Sequence, residues 1–263
     1  VLELTTMSVN VRNHRSRDEE NRWELRRDLL FEVIRRYEPD LVGTQEAYWP
    51  QVEQLREALP EYGMVGAGRD DGFTEGETCA LFYRRDRFQA VASGTFWFSD
   101  TPDVPGSRQW TPAHARICTW ARLIKASGRG LCVYNVHLDH ESQSARERSV
   151  RLLLDRIVSS PWSDPVIVMG DFNMDEANEV IKSIEASASP RLYDTFRAVC
   201  PDAIEVATYH GFTGRRIGEK IDYIYASPHF VTLDARIVRD DREGRYPSDH
   251  FPIVATVRLD QGR

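Results

Sequence analysis

Segments of continuous or period-two apolar residues alternate along this chain with segments of 3.6-residue period. That alternation commits it to a domain combining sheet and helix. The extended segments are Leu2–Val11, Leu41–Glu46, Thr78–Arg84, Ala115–Lys125, Leu131–Leu138, Val166–Phe172, Lys220–Ala226 and Ile253–Leu259. Three helical stripes lie between them. Leu30, Val33, Ile34 and Tyr37 share a face over roughly residues 20–37. Val52, Leu55 and Leu59 follow Pro50, a residue suited to a helix start, and Val150, Leu153, Leu154, Ile157 and Val158 form the third stripe. Turn-forming residues gather in Gly66–Gly76, Ser99–Pro112 and Gly211–Gly218. Strand signals continue on both sides of each loop, so residues 1–263 read as a single domain in which helices cover a sheet pair.

At 263 residues the chain buries a sizeable core without disulfides or metal staples. No apolar run approaches the ~20 residues of a membrane span. The longest uncharged run near an end is Leu4–Val11, too short for a signal peptide, although a chain that begins at Val1 leaves a removed export signal open. A soluble protein is expected, with the cytoplasm favoured. The net charge of -7 argues against coating nucleic acid by bulk electrostatics, while leaving room for a local basic groove. Cys79, Cys118, Cys132 and Cys200 show no CxxC spacing and read as small hydrophobes rather than zinc ligands.

The chemistry is written where the apolar runs stop. Six of them finish in or beside polar residues: Ser8-Val9-Asn10, Gln45-Glu46, Asn135-Val136-His137, Gly170-Asp171-Phe172-Asn173, Asp222, and Ser248-Asp249-His250. Residues i and i+2 of a strand face the same side, so Asn135 projects with His137 and Asp171 with Asn173. Ligand sites gather at the carboxyl ends of strands. Carboxylates and amide oxygens together suit a hard divalent cation such as Mg²⁺ or Mn²⁺ better than zinc. Histidines beside such an ion can stabilise a phosphoryl group or activate water. Each cluster alone has an ordinary explanation as a turn, a cap or a satisfied strand polar. Together, in this order, they do not.

Ser-x-Asn-x-Arg from Ser8, Gln45-Glu46, Asn-x-His-Leu at Asn135, Gly-Asp-Phe-Asn at Gly170, Ile-Asp-Tyr-Ile around Asp222 and Ser-Asp-His at Ser248 resemble the motifs of the endonuclease/exonuclease/phosphatase (DNase I-like) superfamily. The resemblance runs from Ser8 to His250. It implies a four-layer α/β sandwich, two mixed β-sheets packed face to face and flanked by helices. It also implies metal-dependent hydrolysis of phosphate esters by direct attack of water. Carried over residue by residue, Glu46, Asn10 and Asp249 become metal-side groups. Asp171 and Asn173 position or deprotonate the water, His250 is the catalytic histidine oriented by Asp222, and His137 meets the phosphate from the other side. Glu77 matches a glutamate that orients the Asn-x-His histidine, His137. Arg116, opening a strand near the site, is a candidate phosphate clamp.

The segment from Thr95 through Arg116 resembles a bacterial branch of the superfamily without an assigned substrate. Trp110, His114, Tyr209, His210 and Phe212 sit in loops bordering the expected site. The chain lacks a basic-aromatic insert for duplex wrapping and a hydrophobic hairpin for membrane insertion. The expected substrate is therefore a compact phosphorylated molecule or short nucleic acid, handled with Mg²⁺ or Mn²⁺ and without an obligate protein partner. A nuclease acting on DNA or RNA is the narrower alternative. A catalytically silent binding module and a paired-carboxylate glycosidase are the readings from other classes.

Overall fold

The computed structural model describes residues 2–111, 113–125 and 128–260. In chain order the elements are β1 (Glu3–Asn10), α1 (Trp23–Tyr37), β2 (Leu41–Gln45), β3 (Ala47–Tyr48), α2 (Trp49–Ala58), β4 (Tyr62–Val65), β5 (Glu77–Thr78), β6 (Leu81–Arg84) and β7 (Phe88–Trp97). There follow β8 (Ile117–Lys125), β9 (Gly130–His137), α3 (Gln143–Val158), β10 (Val166–Asp171), α4 (Glu179–Ala186), β11 (Tyr193–Asp194), α5 (Thr195–Val199), β12 (Asp222–Ala226), β13 (Phe230–Ile237) and β14 (Ile253–Leu259).

Two six-stranded mixed sheets result, in the orders β13-β14-β1-β2-β6-β4 and β11-β12-β10-β9-β8-β7, with β3 and β5 as a small separate pair. Each large sheet has one parallel pair at its centre. β1 and β2 are joined through α1, β9 and β10 through α3, and every other pairing is antiparallel. A parallel crossover brings the carboxyl ends of both strands to one rim. Asn10 is thus in register with Gln45, and Asp171 with His137. The antiparallel neighbour β12 begins at that same rim, with Asp222 opposite Asp171.

The four expected layers are present. Leu4, Leu41, Leu123, Val133, Ile167 and Val257 belong to the apolar cluster between the sheets. The α1 stripe, Leu30, Val33 and Ile34, packs with Met7, Val9 and Val42 on the outside of the first sheet. Val150, Leu153 and Ile157 of α3, with Val180, Ile181 and Ile184 of α4, cover the second sheet. Val158, expected on the α3 stripe, lies at the last turn and is 54% exposed.

Local chemistry sets the helix ends. Pro50 opens α2, the Ser142 hydroxyl accepts from the Ala145 N–H to cap α3, and Asn178 caps α4 through the Val180 N–H. Glycine matters most at Gly43, where a Cβ would fall 2.6 Å from Met169 Sδ and 2.9 Å from Asn135, so the sheets can approach this closely only without one.

Expected strand Thr78–Arg84 is broken: Thr78 ends β5, Leu81 begins β6, and Cys79 and Ala80 are buried between them. Thr78 pairs with Ala47 outside the main sheet, which requires the chain to step sideways before rejoining β2. The residue pattern does not mark β3, β4, β7, β11, β13, α4 or α5. Alternation in β7 and β13 is blurred because Val91, Val231 and Leu233 stand exposed while small or polar Ala90, Ala92, Thr232 and Asp234 take the more covered positions. Of the loop Ser99–Pro112, Pro112 lies outside the described residues. The described cysteines are unpaired, and three of them are buried as expected. Among the described residues, no helix is long and apolar enough to cross a membrane.

Candidate active site

The shared rim of the two central parallel pairs gathers Asn10, Glu46, His137, Asp171, Asn173, Asp222, Asp249 and His250. All the histidines and aspartates of this group are buried. Glu46 follows β2 in a left-handed conformation (φ 64°) that turns its carboxylate across the end of β1. There Oε1 accepts from Asn10 Nδ2 at 2.9 Å, and Oε2 accepts from the Asn13 amide N–H at 3.2 Å and from Asn13 Nδ2 at 3.0 Å. Burial pushes the Glu46 carboxyl up, but Asn10, His250, Asn13 and Arg12 outweigh it and hold it below the usual range.

Asn10 differs from its expected presentation. Its Oδ1 accepts the Arg12 backbone N–H at 3.0 Å, so Nδ2 faces Glu46 and also donates to Asp171 Oδ2 at 3.0 Å. A backbone N–H can only donate, and this fixes which end of the amide points inward. Asn10 therefore ties two carboxylates together rather than offering them an oxygen neighbour.

Asp171 is the centre of the group. Oδ1 accepts the Asn173 N–H at 2.9 Å, while Oδ2 lies 3.6 Å from His137 Nε2 and 3.8 Å from His250 Nε2. Burial, then the nearby Asp222, raises the Asp171 carboxyl. Asn173 (φ 51°) donates from Nδ2 to the Leu138 carbonyl, bracing the end of β9 against the turn after β10.

The two histidines are shifted in opposite directions by their surroundings. His250 Nδ1 bonds Asp222 Oδ2 at 2.9 Å. Burial disfavours its charge, yet Asp222, Asp171 and Asp249 raise it well above the usual histidine range. His137 is lowered well below it by burial, with Arg116 and Arg69 adding repulsion. The Arg116 guanidinium can only donate, and its Nη1 lies 3.1 Å from His137 Nε2. Nε2 is thus the acceptor and the ring is neutral. Arg116 Nη2 donates in the same way to His140 Nδ1 at 2.8 Å.

Glu77 corrects an expectation. Its carboxylate is bonded to Arg69 (Nη1–Oε2 2.5 Å), while His137 meets Arg116. Burial raises the Glu77 carboxyl to about 7 against the pull of Arg69. Nothing local marks Arg69 in the sequence, where it stands in a glycine-rich loop. Arg12 is part of the Ser-x-Asn-x-Arg motif, and His140 continues Asn-Val-His-Leu-Asp-His, so both had a signal. Among the loop aromatics and histidines, His114 and Tyr209 border the pocket. His210 lies behind it, stacked on Phe251 at 3.8 Å between ring centroids.

Four buried or nearly buried carboxylates, Glu46, Asp171, Asp222 and Asp249, thus share one rim. Asp222 Oδ1 has no hydrogen-bond partner, and Asp249 Oδ2 is 3.5 Å from Arg12 Nε. Asp171, Asp222 and His250 bring three ligand-capable atoms within 4.8 Å of one another. Of these, Asp222 Oδ2 is already bonded to His250 Nδ1. The oxygen-rich set around Glu46 and Asp249 has the donor chemistry of a hard divalent cation.

The model of the Endonuclease/Exonuclease/phosphatase family matches residues 7–250. Mouse Nocturnin is 28% identical over 264 residues, covering 91% of this chain and 59% of its own length. An endonuclease/exonuclease/phosphatase family protein of Bacteroides thetaiotaomicron superposes with a TM-score of 0.92 at 32% identity, covering 98% of both chains. A mannosyl-6-phosphatase of the same organism superposes with a TM-score of 0.89 at 32% identity, covering 97% of this chain and 100% of that one.

Proposed function

The chain belongs to the endonuclease/exonuclease/phosphatase family, whose members are phosphoester hydrolases, and from that premise we propose that it uses Mg²⁺, with Mn²⁺ as a substitute, to hydrolyse a compact phosphorylated molecule. The observation that carries this reading is Asp171 Oδ2 set 3.6 Å from His137 and 3.8 Å from His250, which are pushed in opposite directions, at the rim where four carboxylates meet.

Glu46 and Asp249 would hold the cation, with Asn10 fixing the rotamer of Glu46. Bound there, the ion would supply charge neutralisation for the phosphoryl oxygens. Asp171, oriented by the Asn173 N–H and Asn10, accepts a proton from the attacking water. His250, kept charged by Asp222, neutralises charge that develops on the phosphoryl group. Asn173 Nδ2 is committed to Leu138, which leaves its Oδ1 to orient the water. His137 and Arg116 act as one unit on the other side. Once a phosphoryl oxygen takes Arg116 as donor, His137 Nε2 is released.

The size and lining of the cleft favour a small ester. It encloses about 300 Å³ and carries three arginines, Arg12, Arg69 and Arg116, despite the net charge of -7. The mannosyl-6-phosphatase is a relative with a substrate of that size. Tyr209, 46% exposed and edge-on to His250, favours a second reading, in which a base stacks there and the substrate is a nucleotide or short nucleic acid.

The test is hydrolysis of a panel of phosphomonoesters, phosphodiesters, short RNA and single-stranded DNA, with Mg²⁺, Mn²⁺ or EDTA, beside Asp171→Ala. Metal-dependent turnover lost in the folded variant is expected. Turnover that persists in EDTA or in Asp171→Ala would refute the mechanism.

A further inference from the structure

Arginine, asparagine, histidine, acidic residues and one tyrosine line the cleft, and among the described residues no aliphatic side chain does. A lipid tail would find the ring of Tyr209 as its one apolar contact among the lining residues. It would also strip water from charged groups without replacing their hydrogen bonds. The leaving group must therefore offer hydrogen bonds of its own.

Arg69 and Glu77 are placed to receive them, and the reaction proposed above gives them no task. Arg69 is only 5% exposed, and its Nε has no hydrogen-bond partner, the Asp70 carboxylate standing off at 3.9 Å. Glu77 takes its bond through Oε2 alone. Both are rigidly mounted beside the proposed cation ligand. β5 pairs with β3, which follows Glu46 directly, and Tyr48 is in register with Glu77. The Arg69 N–H donates to the Glu77 carbonyl at 3.0 Å, closing the loop between them. Trp97 Nε1 donates to the Arg69 carbonyl at 2.6 Å. The neighbouring loop presses on the next residue: a Cβ at Gly106 would fall 2.5 Å from the Asp70 carbonyl oxygen.

A guanidinium offers only donors and a carboxylate only acceptors. A hydroxyl is both, so adjacent hydroxyls can accept from the one and donate to the other. The paired guanidinium and carboxyl carry no net positive charge to hold a second phosphate. Resting on the hydrolase reading, we infer that the Arg69–Glu77 pair reads hydroxyls on the leaving group, and that the substrate is a sugar- or polyol-phosphate monoester. A site built for hydroxyls discriminates strongly against a ligand lacking them, because its own polar groups are then left unpaired.

Wild type, Glu77→Gln and Arg69→Lys are compared on a hexose 6-phosphate and on phenyl phosphate with Mg²⁺. The same two esters are titrated calorimetrically into each protein in EDTA. The wild type should prefer the hexose ester. Glu77→Gln should lower the ratio of the two kcat/KM values at least tenfold, mainly through KM for the hexose ester. Arg69→Lys, which keeps the charge and loses the fork, should do the same and carries the comparison if Glu77→Gln fails to fold. A wild-type preference for phenyl phosphate, or an equal fall on both esters, would overturn the inference. No hydrolysis of either ester would count against the hydrolase reading instead. Calorimetry then decides alone: hexose phosphate binding weakened by Glu77→Gln keeps the subsite, and its absence removes it.

Discussion

Arg26 projects from α1 in the outer helical layer, is 3% exposed, and spends its guanidinium on backbone oxygens at the active rim. Nη1 donates to the Val11 and Pro247 carbonyls at 2.6 and 2.9 Å, Nη2 to the Arg12 carbonyl at 2.7 Å, and Nε to the Asn21 carbonyl at 2.8 Å. It thereby joins the turn after β1 to the segment immediately before Ser248-Asp249-His250. Four bonds to a charged donor contribute about 1.5 kcal/mol each at the lower end of their range. Burial works against them, pulling the guanidinium down to about 10, a penalty of about 3 kcal/mol. The difference leaves a net contribution of about 3 kcal/mol. Arg26→Ala should therefore lower Tm by about 6–12 °C for a chain of this size, followed by circular dichroism with and without Mg²⁺. Displacing Asp249 and His250 by about an ångström should also cost on the order of 100-fold in kcat. Arg26→Lys, with the charge but not the fork, should recover part of the stability and less of the rate. A Tm within 2 °C of wild type (about 1 kcal/mol at most), with full activity, would refute the claim that one buried guanidinium sets the rim.

Glu46→Ala should weaken Mg²⁺ binding measured by calorimetry, and an unchanged titration would remove Glu46 from the ligand set. Removing Mg²⁺ with EDTA should abolish turnover without unfolding the protein, since the core between the sheets is apolar and independent of the rim. His210 is lowered to about 4, chiefly by burial, so the folded state resists its protonation. Because the folded value lies below the unfolded one of about 6.5, its contribution is present above that pH and is lost as pH falls toward 4. Wild type should lose about 2 kcal/mol more than His210→Phe between pH 7.5 and 5 in urea unfolding, and parallel losses would show that another group is responsible.

Much of the fold was legible because its main signals are local. A buried strand, an amphipathic stripe and a capping residue each announce themselves within a few positions, which is why β14 and the stripes of α1 and α3 were marked. The strands without a clean pattern, β7 and β13, have one weakly buried face and so lack the contrast on which the reading depends. The polar residues at the ends of β1, β2, β9 and β10 were also legible, and with them the hydrolase family.

What the sequence by itself determined was the inventory: which carboxylates, amides and imidazoles stand at strand ends, and in what order. Tertiary structure alone decided their states. Two right-angled facts could not be read along the chain: that Asn10 turns its N–H inward because Arg12 claims its oxygen, and that Glu77 answers Arg69 while His137 answers Arg116. The same holds for Arg26, whose partners at Val11 and Pro247 are 15 and 221 residues away. Hydrogen bonds and charge depend on distance in space and on the loss of water. Periodicity along a chain records which face is buried, but not which atom across the interface a buried donor will meet.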